Sequence, residues 1–421
     1  MLMCDLDQLG LILMLSEKSR TYHDPLHGAI TLRGDRPVEA LLIRLIDTPE
    51  FQRLRRIRQL DTAFLTFHGA EGSRFTHSLG VMALTRRAFD GVVQNYPSLE
   101  SHRSVVLTAA LLHDLGHGPF SHAGEEMFGS QHEIWTRRLI QESSIAKILN
   151  SFAPGLLRCL EQVFTKKYPL PLVEQLVSSQ LDCDRLDYLQ RDSYLTGAQY
   201  GHLDLDRIFM ALNYDPITQR LVVTKKGLVA IEHYLTVRYF MYLQVYNHPK
   251  NLAARFVLSK IFQRAQVLLK LGQLEADSTV TAWLVNDPQN LSIEQYLDAD
   301  DTVFMYHVHR WQRSEDKILA DLSRRYLDRD IFKATEISLK SRSERESLKE
   351  QLQKRLIEQG FDPEYYCGVR MTLTKGYTLY QQGIEIQTTQ GLQEINTLSP
   401  LVQTLSQPIQ KAWLVHPKGL L

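Results

Sequence analysis

Leu107-Thr108-Ala109-Ala110-Leu111-Leu112-His113-Asp114-Leu115-Gly116-His117-Gly118-Pro119-Phe120-Ser121-His122 runs from an apolar stretch straight into ionisable groups. Val105 to Leu115 is apolar nearly all round, which predicts a buried helix with His113-Asp114 on its last turn and Gly116 as its stop. An imidazole and a carboxylate facing an apolar interior are costly unless they are paired or bound to a metal. Two further segments with helical patterning offer partners: Arg74-Phe75-Thr76-His77-Ser78-Leu79-Gly80, and Leu181-Asp182-Cys183-Asp184-Arg185-Leu186-Asp187-Tyr188. His77, His113, Asp114 and Asp184 together make a donor set for a divalent cation with positions left open for water and a phosphate oxygen. A His2Asp2 set suits manganese, iron, magnesium, zinc or nickel, and the sequence does not choose among them.

The same stretch carries more histidines than four ligands need. His117 stands i,i+4 from His113, and the glycines and Pro119 wrap His122 and the later His132 round the helix end. Phosphate-ester cleavage needs an acid for the leaving oxygen, and histidine titrates in the right range. Glu125, three residues after His122, is placed to orient it. The alternative use of these histidines is a second metal. Near the ligands lie Arg74, Arg185 and Arg238, which suit phosphate, together with Asp192 and with Tyr188 and Tyr246, which suit a base or sugar ring. Arg53, Arg55, Arg56 and Arg58 interleave with the stripe Phe51, Leu54, Ile57 and Leu60, and read as a solvated helix face.

Bulk properties narrow the class. The chain has 421 residues, 44% hydrophobic and 23% charged, with a formal net charge of zero. That length predicts more than one subdomain, and the missing basic excess disfavours backbone-driven nucleic-acid binding. The four cysteines, Cys4, Cys159, Cys183 and Cys367, form no CxxC pair and suit a reducing cytoplasm. Met1 to Leu15 is apolar but carries Asp5 and Asp7; it is a poor signal peptide and too short to span a bilayer. The expectation is a protein with no membrane partner and a cytoplasmic address.

Along the chain, Ala29 to Leu32 is strand-like and Leu41 to Ile46 reads as a short helix. Thr48-Pro49-Glu50 is a helix start with Thr as cap and Pro at the first position. A helix is predicted from His77 to about Tyr96 and another from Leu172 to Leu189, the latter placing Asp184 and Tyr188 on one face. Residues 208–227 break the pattern, and Asn213-Tyr214-Asp215-Pro216 before Arg220-Leu221-Val222-Val223-Thr224 reads as a β-hairpin. Helices return at Leu228–Tyr246 and Leu252–Leu271. After about residue 320 come a charged helix, Lys340–Gln359, and two strands, Tyr366–Leu373 and Ile384–Thr389, of a small C-terminal α+β unit.

These segments, in this order, resemble the HD-domain phosphohydrolases, and within them the deoxynucleoside triphosphate triphosphohydrolases. The resemblance rests on Asp24-Pro25-Leu26-His27-Gly28, Ile46 to Arg55, Gln59-Leu60, Arg74 to Gly80, His113 to His122 and Asp182 to Tyr188, and covers about residues 21–420. It implies a mainly α fold: an N-terminal extension over 1–20, an HD helical core over 21–250 that includes the hairpin, and a helical and C-terminal α+β region over 251–421. It implies that His77, His113, Asp114 and Asp184 hold the metal, that His117, His122, Glu125 and His132 line the catalytic side, and that Gln59, Arg74, Arg185, Tyr188, Asp192, Arg238 and Tyr246 contact substrate phosphates and sugar. It also implies a homo-oligomer, dimer or tetramer, and a possible nucleotide effector. Asp61 departs from it, standing where many relatives have glycine; so do Arg185, where some have lysine, and Glu125, where some have aspartate.

The expected reaction is water attack on the α-phosphorus of a deoxynucleoside triphosphate, releasing deoxynucleoside and triphosphate. The alternatives are another phosphohydrolase of the superfamily, acting on monophosphates or cyclic nucleotides, and a catalytically vestigial nucleotide- or nucleic-acid-binding protein.

Overall fold

The computed structural model describes residues 18–379 and 383–420; residues 1–17 of the expected extension lie outside the described residues. The chain is mainly helical, as the sequence predicts. An antiparallel pair, Arg20–Asp24 with Gly28–Leu32, opens it. The helices that carry the site are α1 (Arg74–Asn95), α2 (Arg103–Leu112), α3 (Ser121–Phe128), α4 (His132–Glu142), α5 (Cys183–Thr196), α6 (Leu228–Met241), α7 (Pro249–Lys270) and α8 (Asp301–Trp311). α1 is central and packs on both α2 and α5. Residues Val105 to Leu112 of α2 are all buried, so the all-round apolar stretch is a core helix.

Several boundaries differ from the sequence reading, each for a local reason. α2 ends at Leu112 with His113 as its C-cap, so His113-Asp114 begin the turn that follows instead of closing the helix. The helix expected over Leu172–Leu189 is two, Pro171–Val177 and α5. Asp182 causes the restart: its carboxylate accepts the Arg185 N–H at 2.7 Å and the Ser179 N–H at 2.7 Å, capping a new N-terminus. The Thr48 cap forms as expected, accepting from Phe51 N–H, but only Pro49–Gln52 is α-helical before a 3-10 turn over Arg53–Arg56. That turn brings Arg53 inside, where it is 1% exposed and donates to the carbonyls of Ala299 (2.9 Å) and His117 (2.8 Å). The solvated-face reading of this arginine run is therefore wrong for Arg53.

Leu212–Asp215 and Arg220–Thr224 form the antiparallel hairpin. Its second strand pairs in parallel with Glu385–Thr388, which in turn pairs with Gly391–Glu394. A separate three-stranded sheet places Ile409–His416 between Lys333–Glu336 and Gly368–Thr374. The two strands expected in one C-terminal unit thus belong to different sheets, because the hairpin's free edge takes one of them. One apolar core runs through the molecule, from Ile30 to Leu420. A small second cluster, Leu60, Ala63 and Ala70, packs against Phe64, Phe67 and Tyr246.

Candidate active site

Three segments deliver the four donors. His77 lies on the first turn of α1, His113 and Asp114 just past α2, and Asp184 on the first turn of α5. His77 Nε2 stands 3.4 Å from Asp114 Oδ2 and 3.1 Å from Asp184 Oδ1. His113 Nε2 stands 3.4 Å from Asp114 Oδ1 and 3.8 Å from Asp184 Oδ1. Bonds of about 2.1 Å to one ion put neighbouring donors about 3.0 to 3.4 Å apart, so most of these separations are the edges of a coordination shell. Both Nε2 atoms are buried with no hydrogen-bond partner, while both Nδ1 atoms are engaged: His77 with Asp187 Oδ2 (2.8 Å) and His113 with the Ala110 carbonyl (2.9 Å). That arrangement fixes the tautomer that turns each Nε2 lone pair inward. Burial opposes a charge on His77, yet the Asp184, Asp187 and Asp114 carboxylates around it lift its pKa to about 10. Burial likewise opposes the charge on Asp114, and Arg74, His113 and His117 hold it well below the usual carboxylate range. A field that draws a proton onto a buried imidazole also draws a divalent cation, and the residues fit one.

Behind the donors lies a layer for which sequence reasoning assigned no role. Asp187 is fully buried and accepts from His77, from His27 Nε2 (2.5 Å) and bidentately from Arg191 (2.7 and 2.9 Å); Arg191 also reaches Asp24 at 2.8 Å. The signal was present: Asp184, Asp187 and Arg191 recur at i, i+3 and i+7 on one helix, and Asp24 and His27 share one turn. Gly80 of α1 faces this group, and a Cβ there would collide with the Asp187 carboxylate and the Arg191 guanidinium.

His117, His122, Glu125 and His132 come together beside the first set, with Asp114 as the bridge: its Oδ1 is 3.3 Å from His117 Nε2. Glu125 accepts from His122 Nδ1 at 2.9 Å, from His132 Nδ1 at 2.5 Å and from the His132 N–H at 2.8 Å. These are hydrogen-bond lengths, so Glu125 anchors a histidine pair here, and the same four residues also lie close enough to hold a cation. His117 stacks on His132 with ring centroids 4.1 Å apart. Burial, Arg74 and His132 hold its pKa well below the ordinary histidine value, so it is neutral, and both its ring nitrogens lack partners. His122 is exposed.

Arg74 joins the two groups, donating to Asp114 Oδ2 (2.6 Å) and to Ser121 Oγ (2.9 Å). Arg185 pairs with Asp182 beside Asp184. Arg238 donates to Gln180 Oε1 at 2.9 Å, and the Tyr246 hydroxyl donates to Asp192 Oδ2 at 2.9 Å. Tyr188 and Tyr246 meet edge to face at 6.0 Å. Burial raises the Tyr188 hydroxyl well above its ordinary value, with Tyr242, Arg185, Arg238 and Asp184 acting on it. Gln59 Oε1, Arg185 Nε, Asp192 Oδ1 and Arg238 Nε are buried without partners. Orphaned buried polar groups are costly in folded proteins, and Arg185 and Asp192 carry theirs on α5, the helix that presents Asp184. Two surface cavities, about 480 Å3 and 410 Å3, lie apart from that cluster. The second is lined by His248, Lys250, Arg329, Lys333 and Lys418 among others.

A buried imidazole–carboxylate donor set beside an anchored histidine pair, with arginines around it, defines a metal-dependent phosphohydrolase. Comparison with known proteins agrees: the HD domain family matches residues 74–192. A phosphohydrolase from Bacteroides thetaiotaomicron superposes with a TM-score of 0.85 at 31% identity, covering 95% of this chain and 100% of that one. The uncharacterized protein YwfO of Bacillus subtilis is 39% identical over 97% of this chain and 94% of its own length. A deoxynucleoside triphosphate triphosphohydrolase SAMHD1 homolog of Dictyostelium discoideum is 29% identical over 62% of this chain, which spans about half of that relative (52%). The chain belongs to the HD-domain phosphohydrolases, similar to the triphosphohydrolases among them. It is an enzyme with a divalent metal cofactor. Among the described residues no helix is long and apolar enough to cross a membrane.

Proposed function

We propose that the protein hydrolyses deoxynucleoside triphosphates to deoxynucleoside and triphosphate. The observation that carries this reading is the buried donor set itself: the unpartnered Nε2 atoms of His77 and His113 face Asp114 and Asp184, with the Arg74 guanidinium on Asp114, while Gln59, Arg185, Asp192 and Arg238 each keep a buried polar atom without a partner. A deoxynucleotide supplies partners for these groups: phosphate oxygens for the arginines, and the one free sugar hydroxyl, at 3′, as a donor to Asp192 Oδ1. The similarity to triphosphohydrolases supports the same substrate class.

In this reading His77, His113, Asp114 and Asp184 hold the metal, which when bound polarises the phosphoryl group and acidifies water. Arg74, Arg185 and Arg238 neutralise charge on the phosphates. The water oxygen bonds to the α-phosphorus, losing a proton to bulk solvent, as the bond from phosphorus to O5′ breaks. His122 Nε2 gives its proton to O5′, while Glu125 holds His122 by Nδ1. His117 and His132 pack the face behind it, with His132 held by the same Glu125. Tyr246, fixed by Asp192 and packed on the cluster of Leu60, closes the sugar side, and Tyr188 lies against it. This close wall disfavours ribose.

The test is incubation of purified protein, with manganese or magnesium, against the four deoxynucleoside triphosphates singly and mixed, with product separation. Inorganic triphosphate is the expected product. Orthophosphate would instead mark a monophosphate or cyclic-nucleotide phosphohydrolase, and salt-sensitive retention on DNA without turnover a vestigial binder. His122→Ala is expected to lose turnover by about 100-fold or more while keeping metal and nucleotide; unchanged turnover would remove His122 from this role. Turnover only in the mixture would reveal an effector, and the cation-lined 410 Å3 cavity supports seating it there. We take the enzyme to be a cytoplasmic homo-oligomer, dimer or tetramer, which light scattering tests.

A further inference from the structure

The turn that carries the histidines is held from a part of the chain that supplies none of the site residues above. Phe120 and Ser121 both adopt left-handed backbone, φ 62° and 50°, which is strained for residues with a Cβ and persists only where surroundings enforce it. The enforcement comes from residues 283–301. Asp301, the first residue of α8, is 3% exposed. Its Oδ1 accepts the Phe120 N–H at 2.7 Å and its Oδ2 accepts the Arg58 N–H at 3.0 Å. The Arg58 carbonyl in turn accepts the Ser121 hydroxyl at 2.6 Å, and Ser121 Oγ accepts from Arg74, the arginine paired with Asp114. At the other end of the turn, the Tyr296 hydroxyl donates to the Gly116 carbonyl at 2.6 Å. Between them Arg53 bridges the His117 and Ala299 carbonyls, and the Trp283 ring leaves no room for a Cβ on Gly118.

We infer that residues 283–301 form a clamp on the histidine turn, and that Asp301 is a positioning residue for the reaction, acting through Phe120, Ser121 and Arg74. A carboxylate suits the task because it offers one acceptor oxygen to each of two N–H groups that lie 62 positions apart in the chain. An amide offers one acceptor, and its NH2 would face the second N–H. Burial pushes the Asp301 carboxyl up to about 6, against the two N–H donors and Arg58, so it is ionised at neutral pH and both oxygens accept. The turn it fixes aims His117 and His122 across the metal-binding face. A displacement of about 1 Å in such groups costs on the order of 100-fold in rate.

The inference rests on the reading that His122 faces the substrate, and the test separates the two. In the full-length protein, Asp301→Asn is expected to lower kcat about tenfold or more, with KM and metal content close to wild type and a lower thermal midpoint that still leaves the protein folded at the assay temperature. Combined with His122→Ala, the two losses should add less than fully, since part of what Asp301 supplies is the placement of His122. Turnover within twofold of wild type, or a loss that adds fully to that of His122→Ala, would overturn the inference. Tyr296→Phe deletes only one hydroxyl; should Asp301→Asn not fold, a kcat loss of threefold or more in Tyr296→Phe supports the clamp and unchanged kcat overturns it. If the wild type releases no triphosphate, the function reading fails first. The imidazole NMR signals of histidine-labelled protein then decide the clamp: shifted signals from His117 and His122 in either variant support it, and unshifted ones overturn it.

Discussion

Asp192 shows at the residue scale how a site conflicts with stability. It is 1% exposed, one oxygen is bonded to Tyr246 and the other has no partner. Burial, opposed by the Tyr246 hydrogen bond, pushes its pKa up to about 7. An acid with a raised folded-state pKa contributes stability that is present below its unfolded value, near 4, and lost as the pH rises through 7. The full difference corresponds to roughly 4 kcal/mol. In chelator-treated protein, Asp192→Asn is therefore expected to melt higher than wild type at pH 8. The gap should close towards pH 5, while the KM for nucleotide rises in the metal-loaded variant. An advantage independent of pH would mean that the charge is compensated in some other way. Asp192 stood out in the sequence only as a neighbour of Asp184, and its substrate-contact role came through the resemblance, because its environment is built by Tyr246, 54 positions away. His113 and Asp114 were legible directly, because an apolar stretch that ends in two ionisable groups must find them partners.

The elements place these residues with little slack, and α1 contains its own control. Two of its glycines, Gly80 and Gly91, look alike in sequence. A Cβ on Gly80 would enter the Asp187–Arg191 pair behind His77, whereas one on Gly91 would meet nothing within 4 Å. Gly80→Ala is expected to destabilise by about 1–3 kcal/mol through overpacking, and to weaken metal retention by roughly 10- to 100-fold as Asp187 is moved off His77. Gly91→Ala should be neutral or stabilising by up to about 1 kcal/mol. Thermal midpoints and metal analysis of the two variants check this, and equal effects would sink the argument. Helical periodicity gave away α1 and α2, since their apolar faces are local facts. It missed the break before α5, because Asp182 was read as part of a continuous pattern when its cap decides the restart. It also missed the burial of Arg53, whose partners are carbonyls 64 and 246 positions distant.

Over the whole molecule, the division expected near residue 250 meets a core that does not respect it. Apolar residues from Ile30 to Leu420 form one connected cluster. The hairpin at 212–224 takes a strand from 385–388, and α7 packs on Lys317–Leu327 and on the 333–336 strand. Charged contacts cross as well, with Arg255 holding Asp61 bidentately at 2.9 and 2.7 Å and Arg56 pairing with Asp300. If the histidine turn is held by residues 283–301, the HD helices and the rest must unfold together. Calorimetry of the full chain is then expected to show one transition, with the same midpoint by far-ultraviolet dichroism and by tryptophan fluorescence. Trp135 reports from α4, whereas Trp283, Trp311 and Trp413 report from the other side of residue 250. A divalent cation bound only by the folded state, at about 100 times its dissociation constant, should raise that single transition by about 2.7 kcal/mol of stability, and a chelator should reverse it. Two transitions, with the cation shifting only the first, would instead mean that residues 21–250 hold the metal site on their own and that the contacts from 283–301 are dispensable to it.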